Sequence, residues 1–329
     1  MKYFLCALIF LVQLLSCGPD NSPRAQSQTS LTNRVICIDP GHGGSAHKDN
    51  FRKGPTGERE EWINLRVALL LRDLLQAQGA TVWLTRTTDT DTAFPDRTQL
   101  ARTHKADLFI SIHHNASGDT KVNFPIVFFG GNASNNPQSV RLGKLILQQF
   151  NKQLFADSAH AVLVSDYTVY QKSGTFVLRD TPQIPSIIGE AAFYSNALGE
   201  KLLKDSNFNK REAQAYLDGI RQFFEDTIAV QPIVATGKIP VFESYRGIVP
   251  KSGDVSNWQS LFLEAQQLIA QRSDLQRAAQ LLARSAIAFP DSYHAREALL
   301  LLSELEASSD PALSKMLKLR ADEYFVPMR

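Results

Sequence analysis

The sequence predicts an α/β protein: a mainly parallel sheet with helices on both faces, followed by a small all-α C-terminal domain. Three observations carry this expectation. Short β-branched apolar runs alternate with segments of helical spacing from Val35 to about Asp226. Two of those runs, in VICIDPGHGG and ADLFISIHHN, each deliver a histidine at their carboxyl end, the edge where α/β sheets collect ligands. From residue 254 onward the strand signals stop and only helical spacing remains.

Taken in order, residues 35–38 form the first strand. A polar, glycine-rich loop leads to a helix over 62–78, where Ile63, Val67, Leu70, Leu71, Leu74 and Leu75 recur at helical spacing and Gly79 makes a stop. A strand over 81–85, a helix over 96–105, a strand over 107–112 and a further strand over 125–129 follow. The next helix starts at Pro137 and runs to Phe155; beyond it the segment up to Gly174 gives no clear signal. Strands are expected at 176–178 and 186–191, and a closing helix at 208–228.

Periodicity fails between residues 230 and 253, where Pro232, Gly237, Pro240, Gly247 and Pro250 fall, and this stretch reads as a linker. Helices are then expected at 256–272, 275–288, 293–307 and 311–325, with Asp291-Ser292 and Asp310-Pro311 as helix starts. The unit near Trp258 recurs near Tyr293, so residues 254–329 resemble a tetratricopeptide-type helical hairpin pair. A plain four-helix cap fits the same pattern.

The 329 residues are 43% hydrophobic and 21% charged, ordinary globular material sufficient for one large and one smaller unit. A net charge of +2 without a basic tract gives no argument for nucleic acid. Residues 1–17 read as an export signal: Lys2, an apolar run from Phe4 to Leu15, then Ser16-Cys17. Leu14-Leu15-Ser16-Cys17 resembles a bacterial lipobox, which implies a lipid on Cys17 and anchorage to a membrane. Gly18 after it resembles the signal for the periplasmic side of the outer membrane. Residues 18–33 would then be a polar tether reaching at most roughly 50 Å. With Cys6 removed and Cys17 acylated, Cys37 stands alone and no disulfide framework is available.

The histidines at the two strand ends suggest a metal site. Zinc hydrolases use three protein ligands and one open position. His42 and His113 supply two, and Glu58, Glu60 and Glu61 at the start of the first helix offer a carboxylate for the third. Spacing does not choose among the three glutamates.

Four ordered segments, GHGG, GEREEWINLRVALLL, DRTQLARTHKADLFISIHHNAS and IPSIIGEAAFYSN, resemble the zinc-dependent N-acetylmuramoyl-L-alanine amidases. The resemblance implies that residues 34–229 are the catalytic domain. It implies Zn2+ held by His42, Glu60 and His113, with Glu190 as the general base. Peptidoglycan is the implied substrate, cut at the amide between N-acetylmuramic acid and the L-alanine of the stem peptide. At Glu190 the surroundings depart from the family's usual Val-Glu-Leu-Gly-Phe, because Gly189 precedes it and Ala191-Ala192 follow.

Other residues receive plainer readings. His114 is next to His113 and so faces the other way, as a pocket-rim or structural residue. Glu58 and Glu61 are expected to be solvated carboxylates at a helix start, and His47, His104, His160 and His294 surface residues. Arg86 and Arg97 are expected in structural ion pairs. Two rival functions stay open: a non-catalytic wall-binding scaffold, and a zinc peptidase acting within the stem peptide. The helical C-terminal domain is expected to bind a protein partner or to position the enzyme.

Overall fold

The computed structural model describes residues 31–225 and 253–328, apart from 47, 49, 158, 159 and 172. The export signal, Cys17, most of the tether, nearly all of the linker and His47 lie outside the described residues.

In chain order the elements are β1 (Val35–Pro40), α1 (Glu60–Ala77), β2 (Thr81–Leu84), α2 (Phe94–Thr103), β3 (Leu108–Asn115), β4 (Ile126–Phe129), α3 (Pro137–Phe155), β5 (Val162–Ser165), α4 (Phe176–Arg179) and β6 (Ser186–Phe193). They continue with α5 (Ala197–Lys204), α6 (Ser206–Glu225), α7 (Asp254–Ala270), α8 (Leu275–Ala288), α9 (Ala295–Glu306), α10 (Pro311–Tyr324) and β7 (Phe325–Val326). One sheet results, in the order β2-β1-β3-β6-β4-β5-β7. Pairing is parallel from β2 through β1 and β3 to β6 and between β4 and β5; β4 runs antiparallel to β6, and β7 to β5. Among the described residues no helix is long and apolar enough to cross a membrane.

Strand alternation divides the core. Ile36, Ile38, Leu108, Ile110, Ile112, Val127 and Ile187 face α1, α3 and α6, whose Val67, Leu71, Ile146, Phe150, Tyr216 and Ile220 complete one apolar cluster. Cys37, Phe109, Ile126, Phe128, Val164 and Ile188 face the other way. Their cluster is continuous with Trp258, Phe262, Leu282, Phe289, Leu302 and Tyr324, so α7 to α10 pack onto the second face of the sheet. A central strand covered on both faces is apolar throughout, which is why SIIGEAAF lacks polar alternation.

The expected strand at 176–178 is instead the short helix α4. Arg179 N–H donates to the Thr175 carbonyl and Asp180 N–H to that of Phe176. Three apolar residues are too few for periodicity to separate helix from strand. Nor could they pair beside β6, the strand that follows, since it is already paired on both edges by β3 and β4. Strand β5, helix α5 and the two-residue β7 were not expected.

Candidate metal centre and catalytic cavity

His42 sits on the turn that leaves β1, in the left-handed region at φ 58°. For a non-glycine residue this costs roughly 1–2 kcal/mol, so the surroundings must hold it. Two buried arginines do so. Arg86 donates from Nε to the Pro40 carbonyl (2.8 Å) and from Nη2 to those of Gly41 (2.9 Å) and Glu61 (2.8 Å). Arg97 donates from Nη2 to the His42 carbonyl (2.7 Å) and from Nη1 to Asp39 Oδ1 (2.7 Å). Arg97 therefore forms the expected ion pair, whereas Arg86 is a clamp on main-chain carbonyls. Burial pushes the Asp39 carboxyl up, but Arg97 and the hydroxyls of Thr85 and Ser111 outweigh it and hold the group below its ordinary value.

Gly41 leaves room for the second histidine: a Cβ there would lie 2.1 Å from His113 Nε2. Glu60, the first residue of α1, is buried, and its Oε1 lies 3.1 Å from His42 Nε2 and 2.9 Å from His113 Nδ1. The three ligand atoms fall within 4.8 Å of one another. Burial raises the Glu60 carboxyl, yet the imidazoles of His42 and His113 more than reverse this and hold it well below the carboxylate range. For His113, burial pulls the imidazole down and the Glu60 hydrogen bond only partly offsets it. An imidazole pulled down at His113 beside an ionised Glu60 carboxylate suits a metal ion, which binds the deprotonated forms. The donors fit a divalent cation, and His42 and His113, 30% and 19% exposed, leave one side open.

The start of α1 and its register resolve what spacing left open. Glu61 turns away from the histidines and, fully buried, accepts from Arg59 Nε (2.6 Å) and Ser45 Oγ (3.1 Å). Glu58 forms an ion pair with Arg66, Oε1 to Nη1 2.7 Å. Neither is solvated as expected: Glu61 has the buried Arg59 as its partner, and Glu58 is largely covered while pairing with the more exposed Arg66. The loop before α1 is also held from afar, by Glu200 accepting from the N–H groups of Thr56 and Glu58. Nothing in the sequence signalled that residue.

His114 points to the opposite face, fully buried, with Nδ1 2.8 Å from Asn64 Oδ1 and Nε2 3.1 Å from Glu212 Oε2. It is a structural residue. His104 stacks on Trp83 and His294 on Phe262, both half-buried rather than on the surface, while His160 is exposed and stacks on Tyr293. Burial lowers the His294 imidazole to about 4.

The parallel register of β3 on β6 places Glu190 beside His113. Partners in register point to the same face, so both look into a cavity of about 910 Å3 that His42, Glu60, Tyr170 and Asp291 also line. Burial pushes the Glu190 carboxyl well up, and the charges of Glu60, Asp291 and Glu212 push it further. Its Oε2 is buried with no partner among the described residues. Asp291 was read from the sequence as a helix start; α9 begins only at Ala295 with His294 at the cap, whereas Asp310 does cap α10 by accepting from Leu313 N–H (3.0 Å).

A carboxyl held ready to carry a proton, beside a three-donor cation site at the carboxyl edge of a mainly parallel sheet, defines a hydrolase of the metal-assisted class. Residues 36–222 match the family described as N-acetylmuramoyl-L-alanine amidase. Curated relatives include the amidase AmiA of Escherichia coli K12, 27% identical over 236 residues that cover 61% of this chain and 80% of that protein. The probable cell wall amidase LytH of Staphylococcus epidermidis is 30% identical over 206 residues, 62% of this chain and 64% of its own. Among solved structures, the CwlD amidase of Clostridioides difficile, in complex with the GerS lipoprotein, superposes with TM-score 0.51 at 26% identity, covering 58% of this chain and 98% of that one. AmiC2 of Nostoc punctiforme shares the fold, with TM-score 0.50 at 23% identity over 59% of this chain and 98% of that one. The chain belongs to the N-acetylmuramoyl-L-alanine amidase family and is an amide hydrolase of that kind. The family match ends before α7, so the C-terminal helices lie outside it.

Proposed function

We propose that this chain is a zinc-dependent amidase in which His42, Glu60 and His113 hold the metal and Glu190 moves the proton. The observation that carries this reading is the register that sets Glu190 next to His113, at the lip of the three-donor cluster. Two imidazoles and a carboxylate form a donor set suited to Zn2+. When bound, zinc supplies Lewis acidity toward the lactyl carbonyl and makes a water more acidic.

The chain's own residues do the rest. Glu190 takes a proton from the attacking water and hands it to the alanine nitrogen as the C–N bond breaks, because an amine leaves poorly unless protonated. Its raised pKa suits the second half of that task. Arg86 and Arg97 hold the turn so that His42 keeps its aim.

Peptidoglycan lies outside the cytoplasmic membrane, so the enzyme works there. Cys17 is proposed as a lipidated anchor and the C-terminal helices as the part that positions the enzyme or meets a protein partner. Cys17→Ala should move the protein from the membrane to the soluble envelope fraction. The reaction is tested by mass spectrometry of purified peptidoglycan digested by the chain from Leu31 onward with zinc added. Release of intact stem peptides with free N-terminal alanine, lost in Glu190→Gln, supports the amidase reading. Shortened stem peptides move the assignment to a peptidase, and no cleavage moves it to a scaffold.

A further inference from the structure

The loop joining α8 to α9 belongs to the helices outside the family match, yet it enters the catalytic cavity. It is fixed there. Phe289 packs against Trp258, Phe124 and Phe193, with ring centroids 5.1, 6.0 and 6.3 Å apart. Tyr293 meets Phe124 edge-on at 5.2 Å, and Trp258 Nε1 donates to Asp119 Oδ2 at 3.1 Å. Further along the chain, β7 pairs with β5 and ties the end of the module to the sheet. Aromatic contacts at these distances make the loop part of the sheet's own packing.

Within this loop Asp291 is 7% exposed and its carboxyl lines the cavity with Glu190 and Tyr170. Among the described residues no side chain donates a hydrogen bond to its carboxyl and no cation offsets its burial, which only its own backbone N–H eases. Its charge is felt by Glu190 and by the Tyr170 phenol, neither of which can neutralise it. Capping of α9 does not explain the aspartate, since that helix starts at Ala295. A carboxylate this buried, lining the cavity with no cation beside it, favours one brought in from outside the chain.

We propose that Asp291 is a specificity-determining residue whose carboxylate receives a primary ammonium group of the substrate's stem peptide. The proposal rests on the amidase reading above. N-acetylated sugars bring no positive charge, and the scissile alanine nitrogen is an uncharged amide until cleavage. The cation that can meet Asp291 in the bound substrate is therefore the side-chain amine of a diamino residue further along the stem. The cavity, about 910 Å3, is at the upper end of the range for small-ligand sites and holds more than the scissile amide alone.

The test uses the full chain carrying Glu190→Gln, loaded with zinc, so that ligand binds without being consumed. Titration calorimetry compares a muramoyl peptide containing a free side-chain amine with the same compound acetylated on that amine. Acetylation should weaken binding on the order of tenfold or more, the worth of one charged hydrogen bond. Adding Asp291→Asn should bring the free-amine compound to the affinity of the acetylated one and leave the acetylated one unchanged, which also reports that the loop is intact. Equal affinity of the two compounds for the Asp291 chain, or the same loss for both on Asp291→Asn, overturns the proposal. Hydrolysis of either compound by the chain with Glu190 intact is read separately and decides the amidase assignment.

Discussion

The Tyr216 hydroxyl stands where a side chain on residue 189 would begin: a Cβ there would lie 2.1 Å from the oxygen and 2.9 Å from Cζ. Because Glu190 faces the cavity, Gly189 faces α6, and the glycine that departs from the family's valine makes room for that tyrosine. Gly189→Val should therefore destabilise the chain by about 1–3 kcal/mol or more through overpacking. Adding Tyr216→Phe should recover part of the loss, since the ring carbon stays close. Urea denaturation of the two single variants and the double variant measures the coupling, and strictly additive losses would show that the two positions are independent.

Metal retention and turnover should separate between Glu60 and Glu190. Glu60→Gln is expected to lower bound zinc sharply, read by elemental mass spectrometry after dialysis. Glu190→Gln is expected to keep its zinc and lose about 10²–10⁴-fold in kcat. If Glu190→Gln also emptied the site, Glu190 would be a ligand rather than the proton carrier.

Under the sheet, His114 links Asn64 to Glu212, and Asn64 Nδ2 in turn reaches Glu60 Oε1 (3.4 Å) and the Gly41 carbonyl (3.2 Å). Removing His114 leaves two buried polar groups short of a partner, at about 1–3 kcal/mol. His114→Ala should shift the urea midpoint downward while the folded protein still takes up zinc. Normal stability with lost zinc would instead make His114 a ligand.

Asp291 carries a pH signature. Burial raises its carboxyl from 3.8 to about 6. A folded-state pKa above the unfolded one means that the protonated group favours folding, fully below pH 3.8, and that this contribution is lost as pH rises through 6. Two pKa units correspond to roughly 3 kcal/mol at most. In the metal-free chain, Asp291→Asn should raise the melting temperature at pH 7.5 and leave it nearly unchanged at pH 4. An equal shift at both values would mean that the ionised carboxylate is not what destabilises the loop.

Much of the site was legible because its parts lie at the ends of strands that announce themselves. Ile36 to Ile38 and Leu108 to Ile112 are mainly apolar runs; His113 follows the second directly, and His42 follows the first after Asp39, Pro40 and Gly41. Strand β5, four residues in a segment without turn signals, was not legible, and neither was α5. Among Glu58, Glu60 and Glu61 the sequence offered three equal carboxylates until the resemblance singled one out. Their fates differ because α1 turns Glu61 about 100° from Glu60, so that only Glu60 faces the cluster, while Glu58 lies in the loop before the helix.

Local patterning by itself determined the α/β class, the order of the strands and helices that carry the cluster, the helical C-terminal region and the residue types at the catalytic edge. These follow from periodicities of two and 3.6 and from short motifs, which need no knowledge of distant contacts. Only the tertiary structure decided that β6 lies beside β3 with Glu190 next to His113, and that Arg86 clamps carbonyls instead of joining an ion pair. It alone brought Asp291, 101 residues beyond Glu190 in the numbering, into the same cavity. Such relations depend on strand register and on the docking of the C-terminal helices against the sheet, where side chains far apart in sequence meet through packing that no local pattern encodes.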